Sequence, residues 1–213
     1  MEELATFSTP VWVGSLKLDE NDRQKWIQQC YEKREETPGR QLSNHGGWQS
    51  GAFFYNHEYG VQWTPLMDQL LTQLINIDVF QPLKDRLTHY QGWININQYG
   101  NYNGMHVHSC SFISLVYYLQ TDPHAGNIVF HHPFKMQMYY NYDNTPFYGK
   151  YPLDIEITPE DGMILIFPSY LPHSVNHSRS NNDRISLAFD LSLKPVYEEP
   201  ISYKTLREMN VIL

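Results

Sequence analysis

Asp161–Leu191 reads DGMILIFPSYLPHSVNHSRSNNDRISLAFDL, two apolar runs of strand length joined by an irregular connection. Asp161-Gly162 is a tight turn, Met163–Phe167 a buried strand, and Pro168–Pro172 a loop that delivers His173. Arg184 opens the second run, in which alternation places Arg184, Ser186, Ala188 and Asp190 on one face. The stretch gains meaning beside Gly100–Leu119, GNYNGMHVHSCSFISLVYYL, where His106 and His108 stand one residue apart before another strand. Imidazoles at alternate strand positions point to one side. A third imidazole from a distant segment, His173, would complete one face of an octahedron. That arrangement holds a redox metal and leaves three positions open.

Outward from these segments the chain reads as several short strands preceded by two helices. Strands are expected near residues 110–119, 127–132, 153–158, 162–168 and 184–193, separated by Pro, Gly, Asn and Asp clusters. Trp93–Tyr99 (WININQY) alternates strictly, with Ile94 and Ile96 on one face and Asn95, Asn97 and Tyr99 on the other. Alone, that pattern describes an ordinary half-exposed strand more readily than a pocket wall. Residues 6–13 read as an edge strand broken by Pro10. Leu18–Glu36 is an expected helix with Asp19 as N-cap and Trp26, Ile27, Cys30 and Tyr31 as its apolar stripe. A second helix starts at Thr64-Pro65 and carries Met67, Leu70, Leu71, Leu74 and Ile75, with a short continuation through Pro82–Leu87. The glycine-rich stretch 41–60 is expected to be an irregular loop, either lining a pocket or, favoured on the general grounds of loop use, merely covering one.

Strands without βαβ alternation indicate an α+β, mainly β chain built on an antiparallel sandwich or barrel. With no repeat, linker or low-complexity tract, one domain is expected: a helical support region at 1–88, a β core at 89–193 and an extension at 194–213.

The 213 residues and 41% hydrophobic content suffice for a sizeable core. A net charge of −8 argues against a dedicated binder of nucleic acid or anionic membrane. No apolar run approaches the roughly 18 to 20 residues of a membrane span, and the N-terminus lacks a signal-peptide pattern. Cys30 and Cys110 form no C-x-x-C, so a cytoplasmic setting is expected. A homodimer is compatible with all of this.

Each candidate residue has a plainer reading. His106, His108 and His173 could be loop histidines with local hydrogen bonds. Arg184, at the inner start of an apolar strand, needs an anion. That anion is either a dicarboxylate held through a bidentate pair or a neighbour such as Asp183, Asp190 or Glu160.

The pattern resembles the Fe(II)- and 2-oxoglutarate-dependent oxygenases with a double-stranded β-helix, or jelly-roll, core. More narrowly it resembles an oxygenase family of marine bacteria and phages. The matching residues are Trp93, Asn95, Gly100, Asn103, His106 and His108, then Ser114–Leu119, Gly126–Pro133, Gly162–Val175 and Arg184–Phe189. The resemblance covers about residues 90–193. It implies that His106 and His173 ligate Fe(II), that Arg184 grips the distal carboxylate of 2-oxoglutarate, and that Ser186 completes an Arg-x-Ser pair. Asn97 and Tyr99 resemble an Asn-x-Tyr pair that contacts this co-substrate, with Asn95 on the same face. The usual motif of the superfamily is H-x-D/E; here His108 stands in place of the carboxylate.

The function implied is a dioxygenase, a hydroxylase in kind, using Fe(II), 2-oxoglutarate and dioxygen. It would couple decarboxylation of 2-oxoglutarate to succinate with oxidation of a substrate C–H bond. Tyr117, Tyr118 and Phe130, if inward, would shield the reacting centre. Two alternatives stay open: a three-His cupin-like dioxygenase or zinc hydrolase without 2-oxoglutarate, and a non-catalytic jelly-roll binding protein. The substrate is unknown, with a small molecule or peptide favoured over duplex DNA. The Tyr-rich segment Met138–Tyr151 is expected to pack rather than to recognise substrate.

Overall fold

A computed structural model describes residues 9–54, 64–133 and 152–193. The Tyr-rich segment and the extension 194–213 lie outside the described residues, as do positions 6–8 of the expected first strand. In chain order the elements are β1 (Trp12–Ser15), α1 (Glu20–Glu36), β2 (Asn44–His45), β3 (Trp48–Gln49), β4 (Phe53–Phe54), α2 (Thr64–Ile75) and a 3-10 helix (Gln81–Arg86). There follow β5 (Leu87–Asn97), β6 (Tyr102–His106), β7 (Ile113–Gln120), β8 (Ile128–His131), β9 (Asp154–Ile157), β10 (Met163–Pro168), β11 (His173–Val175) and β12 (Arg184–Leu193). No helix among the described residues is long and apolar enough to cross a membrane.

Every strand pair is antiparallel. One sheet of seven strands runs β1-β10-β7-β12-β5-β3, with β4 also on β5, and a second runs β2-β6-β11-β8-β9. This is the jelly-roll architecture expected from the sequence. The two-residue periodicity of the central strands sorts their side chains between two cores. Ile94, Ile96, Leu115, Tyr117, Ile164, Ile166, Leu187 and Phe189 face outward, against Trp26, Ile27 and Cys30 of α1 and Leu66, Met67, Leu70 and Leu74 of α2. Their sequence neighbours Val116, Tyr118, Leu165, Phe167 and Ala188 face inward, where Ile128 and Phe130 of the second sheet meet them. A strand buried on both faces reads as a continuous apolar run, which explains ISLVYYL in β7. Burial of each such Leu, Ile or Phe side chain contributes about 1.5–3 kcal/mol.

The first helix forms as read. The Asp19 side chain accepts the Asp22 N–H at 3.0 Å, and Thr37 ends the helix in extended conformation. The second helix and the 3-10 turn also stand where expected.

Several readings change. The first strand begins after Pro10, at the edge of the seven-stranded sheet. The alternating stretch from Trp93 is only the end of an 11-residue strand. Residues 102–106, outside every strand expected from the sequence, form β6. Stretch 41–60 contributes three short strands, and with β1 these place four strands from the first 54 residues into the two sheets. Tyr117 points toward the helices, its hydroxyl donating to the Leu16 carbonyl at 3.1 Å, and so takes no part in shielding the interior. Tyr118, one residue on, points inward.

Gly126 lies at φ +93°, where a Cβ would run into the Asn176 carbonyl. Gly126→Ala is expected to cost about 1–3 kcal/mol, read as a lower urea midpoint. An unchanged midpoint would mean that the turn relaxes around the methyl group.

Candidate metal centre

His106 ends β6 and His173 begins β11, directly opposite each other in register. His108 lies just beyond β6, held by its backbone N–H to the Ser169 carbonyl at 3.0 Å. The chain then turns through Cys110, at φ 64°, to enter β7 in the other sheet. The H-x-H pair therefore sits at the end of one strand rather than at the mouth of the next. Ring centroids are 4.3 Å apart for His106 and His173, 5.2 Å for His106 and His108, and 5.0 Å for His108 and His173. One ligand nitrogen from each ring lies within 4.8 Å of the other two.

Hydrogen bonds fix which nitrogen that is. His106 Nδ1 faces the Gly104 carbonyl at 2.8 Å and His173 Nδ1 the Leu171 carbonyl at 2.9 Å. A carbonyl only accepts, so Nδ1 carries the hydrogen and Nε2 keeps its lone pair. His108 Nδ1 faces the Asp190 carboxylate at 2.7 Å, with the same consequence. Three Nε2 atoms converge.

Burial holds two of these rings neutral. It lowers the His106 pKa in spite of the Gly104 bond, and together with the charge of His106 it pushes His173 down to about 3. A histidine whose folded pKa is depressed contributes stability above its ordinary value near 6.5. That stability is lost as pH falls toward the folded value. Metal-free protein is expected to show a flat urea midpoint above about pH 7 and a decline below about 6.5. The decline should be shallower in His173→Gln. Equal slopes in both proteins would contradict the assignment.

The three rings open into a cavity of about 640 Å³ between the sheets, lined on the other side by Arg184, Ser186, Ala188 and Asp190 of β12. The face read from alternation is thus the face that lines the interior. Asn95 and Trp93 of β5 and Tyr118 of β7 join it. The strand expected to be half-exposed is in fact a cavity wall, since Asn95 and Asn97 are both buried. Burial pushes the Tyr118 phenol up to about 12, so it stays neutral. Phe130 packs on Phe167, 6.2 Å from the His173 ring, and backs the site from the second sheet. Tyr99 lies on the turn after β5, 68% exposed, and is not brought to the cavity.

Arg184 is 2% exposed. Its Nη1 donates to the Gly126 carbonyl at 3.4 Å and its Nη2 to Asn97 Oδ1 at 3.3 Å, while Nε has no partner. Asn97 is itself held by Asn103 Oδ1 at 3.3 Å. Among the described residues no carboxylate stands within ion-pair distance of the guanidinium. Asp183 is engaged by Tyr31 and Arg34, and Asp190 by His108 and Ser114. A buried guanidinium with two long bonds to neutral oxygens and an orphaned N–H has the chemistry to hold an anion. The donor set therefore fits both groups implied by the resemblance: a metal ion at three Nε2 atoms and a carboxylate at Arg184.

Sequence reasoning missed part of the wall. Leu42, Ser43, His45, Gln49 and Ser50, in the stretch for which covering was favoured over pocket-lining, all line the cavity, and so does Arg40 just before it. A signal did exist: four glycines among residues 39–51 mark close backbone approach, and a Cβ on Gly47 would press on Asn97. Leu42, Met105 and Val107, at 71%, 68% and 45% exposure, form the rim.

The comparisons with known proteins agree with this geometry. Residues 91–190 match the family model described as "Putative 2OG-Fe(II) oxygenase". No curated protein gives a significant sequence match. Among solved structures, a prolyl-4-hydroxylase from Pseudomonas putida is 18% identical with a TM-score of 0.58, over 88% of this chain and 95% of that one. HygX from Streptomyces hygroscopicus, with nickel and 2-oxoglutarate bound, is 13% identical with a TM-score of 0.59, over 92% and 89%. A prolyl hydroxylase from Trichoplax adhaerens, in complex with a hypoxia inducible factor peptide fragment, is 14% identical with a TM-score of 0.59, over 85% and 83%. At these identities the structural matches speak for the fold. The family match spans His106, His108, His173 and Arg184, and over those residues this chain is similar to the 2OG-Fe(II) oxygenases.

Proposed function

We propose that the enzyme is a hydroxylase acting on a small molecule or a peptide. His106, His108 and His173 hold Fe(II) through Nε2, and Arg184, with Ser186 beside it, holds the distal carboxylate of 2-oxoglutarate. The observation that carries the reading is Arg184, buried on the wall of the cavity the three histidines enter and with no carboxylate partner among the described residues. A zinc hydrolase or a cupin-like dioxygenase has no use for a dicarboxylate clamp there.

When bound, Fe(II) and 2-oxoglutarate supply the chemistry: oxygen-dependent decarboxylation to succinate coupled to oxidation of a C–H bond. The chain's own residues do the rest. Backbone carbonyls and Asp190 fix the three ring orientations. Asn97 orients the guanidinium, Asn95 adds a polar group on the same wall, and the apolar Trp93, Val116 and Ala188 limit water beside the metal. The exposed apolar rim of Leu42, Met105 and Val107 leaves room for a substrate larger than 2-oxoglutarate. The strands contributed by residues 12–54 complete both sheets, so the chain works as one oxygenase domain.

The test is turnover by the iron-loaded enzyme against panels of peptides and small molecules, with isotope-labelled dioxygen. A hydroxylase yields succinate and a product heavier by one labelled oxygen atom. Succinate formation with a product oxidised but never labelled would contradict hydroxylation while leaving the oxygenase family intact.

A further inference from the structure

His106 and His173 rest their Nδ1–H groups on neutral backbone carbonyls; His108 does not. Its Nδ1–H donates to Asp190 Oδ1 at 2.7 Å, with side chains only 8% and 9% exposed. The same Oδ1 accepts the Ser114 hydroxyl at 2.7 Å. Since the Ser114 hydrogen goes to Asp190, the contact with Ser169 Oγ at 2.9 Å has Ser169 as donor. Three strands build this arrangement. Asp190 on β12 lies directly across from Ser114 on β7, and Ser169 follows β10. Among the described residues no Lys or Arg pairs with the carboxylate. A buried Asp with no cationic partner is costly, and here it accepts from the His108 ring and from Ser114, whose Oγ also lies 2.8 Å from His108 Nδ1.

Resting on the assignment of the three histidines as iron ligands, we infer that Asp190 is a positioning residue that returns to the site the charge missing from its ligand set. Two imidazoles and a carboxylate leave an Fe(II) site with one net positive charge; three imidazoles leave two. A carboxylate hydrogen-bonded to the far nitrogen of His108 brings the assembly back to one. It also fixes the tautomer with Nε2 toward the cavity and makes that nitrogen a better donor. The carboxylate of the usual H-x-D/E motif is displaced outward by one ring, from position 108 to position 190.

The experiment is anaerobic Fe(II) titration of the wild type, Asp190→Asn, His108→Asp and the double variant His108→Asp/Asp190→Asn, followed by addition of 2-oxoglutarate. The absorbance band of the ternary complex is recorded each time. Asp190→Asn keeps the volume and one acceptor oxygen but removes the charge. It is expected to bind Fe(II) about 10- to 100-fold more weakly. Its band should move to shorter wavelength, because a poorer donor set leaves the metal less electron-rich. The double variant, with the carboxylate moved back onto the metal, is expected within a few-fold of wild type. His108→Asp alone, which sets two carboxylates side by side, is expected to bind more weakly than the double variant. Wild-type affinity and an unmoved band in Asp190→Asn would overturn the inference, and so would a folded double variant no better than Asp190→Asn. Should Asp190→Asn fail to fold, the double variant decides alone. A wild type that binds no iron refutes the ligand assignment instead.

Discussion

Arg184→Ala is expected to weaken 2-oxoglutarate binding by roughly thirty-fold to several thousand-fold while leaving Fe(II) affinity unchanged. The size follows from burial. At 2% exposure the guanidinium sees little water, and removing one side of a buried, hydrogen-bonded charge pair costs on the order of 2–5 kcal/mol. The selectivity follows from geometry, since Arg184 touches Asn97 and Gly126 and none of the three histidines. Arg184→Lys should recover only part of the loss, because an ammonium is a point donor and cannot form the two parallel bonds of a guanidinium. The measurement is anaerobic titration of the iron-loaded variants with 2-oxoglutarate. Equal affinity in wild type and Arg184→Ala would make Arg184 a structural residue, sustained by two bonds to neutral oxygens.

His173→Ala is expected to abolish stoichiometric Fe(II) binding, a loss beyond the 10- to 100-fold attached to a lost partner of a ligand. The fold should survive. His173 stands on the wall of an existing cavity, so deleting its ring enlarges that space and opens no new void in the core. Far-ultraviolet circular dichroism and the urea midpoint separate the two effects. His106→Ala, from the facing strand, should behave alike. Retention of one tightly bound iron per chain in either variant would move the metal elsewhere.

Much of this site was legible in the chain, because side-chain period survives folding. The alternation Arg184-x-Ser186-x-Ala188-x-Asp190 identified one wall of the cavity before any coordinates, and H-x-H with a distant His identified the opposite one. Less legible were features set by pairing across space. β6 hides behind Asn and Gly, whose local turn chemistry outweighed the alternation of Tyr102 to His106. The two-residue strands of residues 44–54 are too short to show a period. Tyr99 was tied to the co-substrate by the resemblance of Asn97 and Tyr99 to an Asn-x-Tyr pair, but it lies past the end of its strand, where the chain turns and the side chain is 68% exposed. Asp190 was named, beside Asp183 and Glu160, only as an alternative partner for Arg184. In the fold it serves His108 instead: the register of β12 against β7 sets Asp190 across from Ser114, and its carboxylate accepts from the His108 ring.

The most direct measurement adds 2-oxoglutarate to the iron-loaded, oxygen-free protein and follows the visible charge-transfer band of a 2-oxo acid chelated to Fe(II). A three-histidine centre facing a buried arginine predicts a band that saturates at one 2-oxoglutarate per iron and one iron per chain. It also predicts that His106→Ala, His108→Ala and His173→Ala each abolish that band. Iron-loaded protein that shows no band at millimolar 2-oxoglutarate would contradict it.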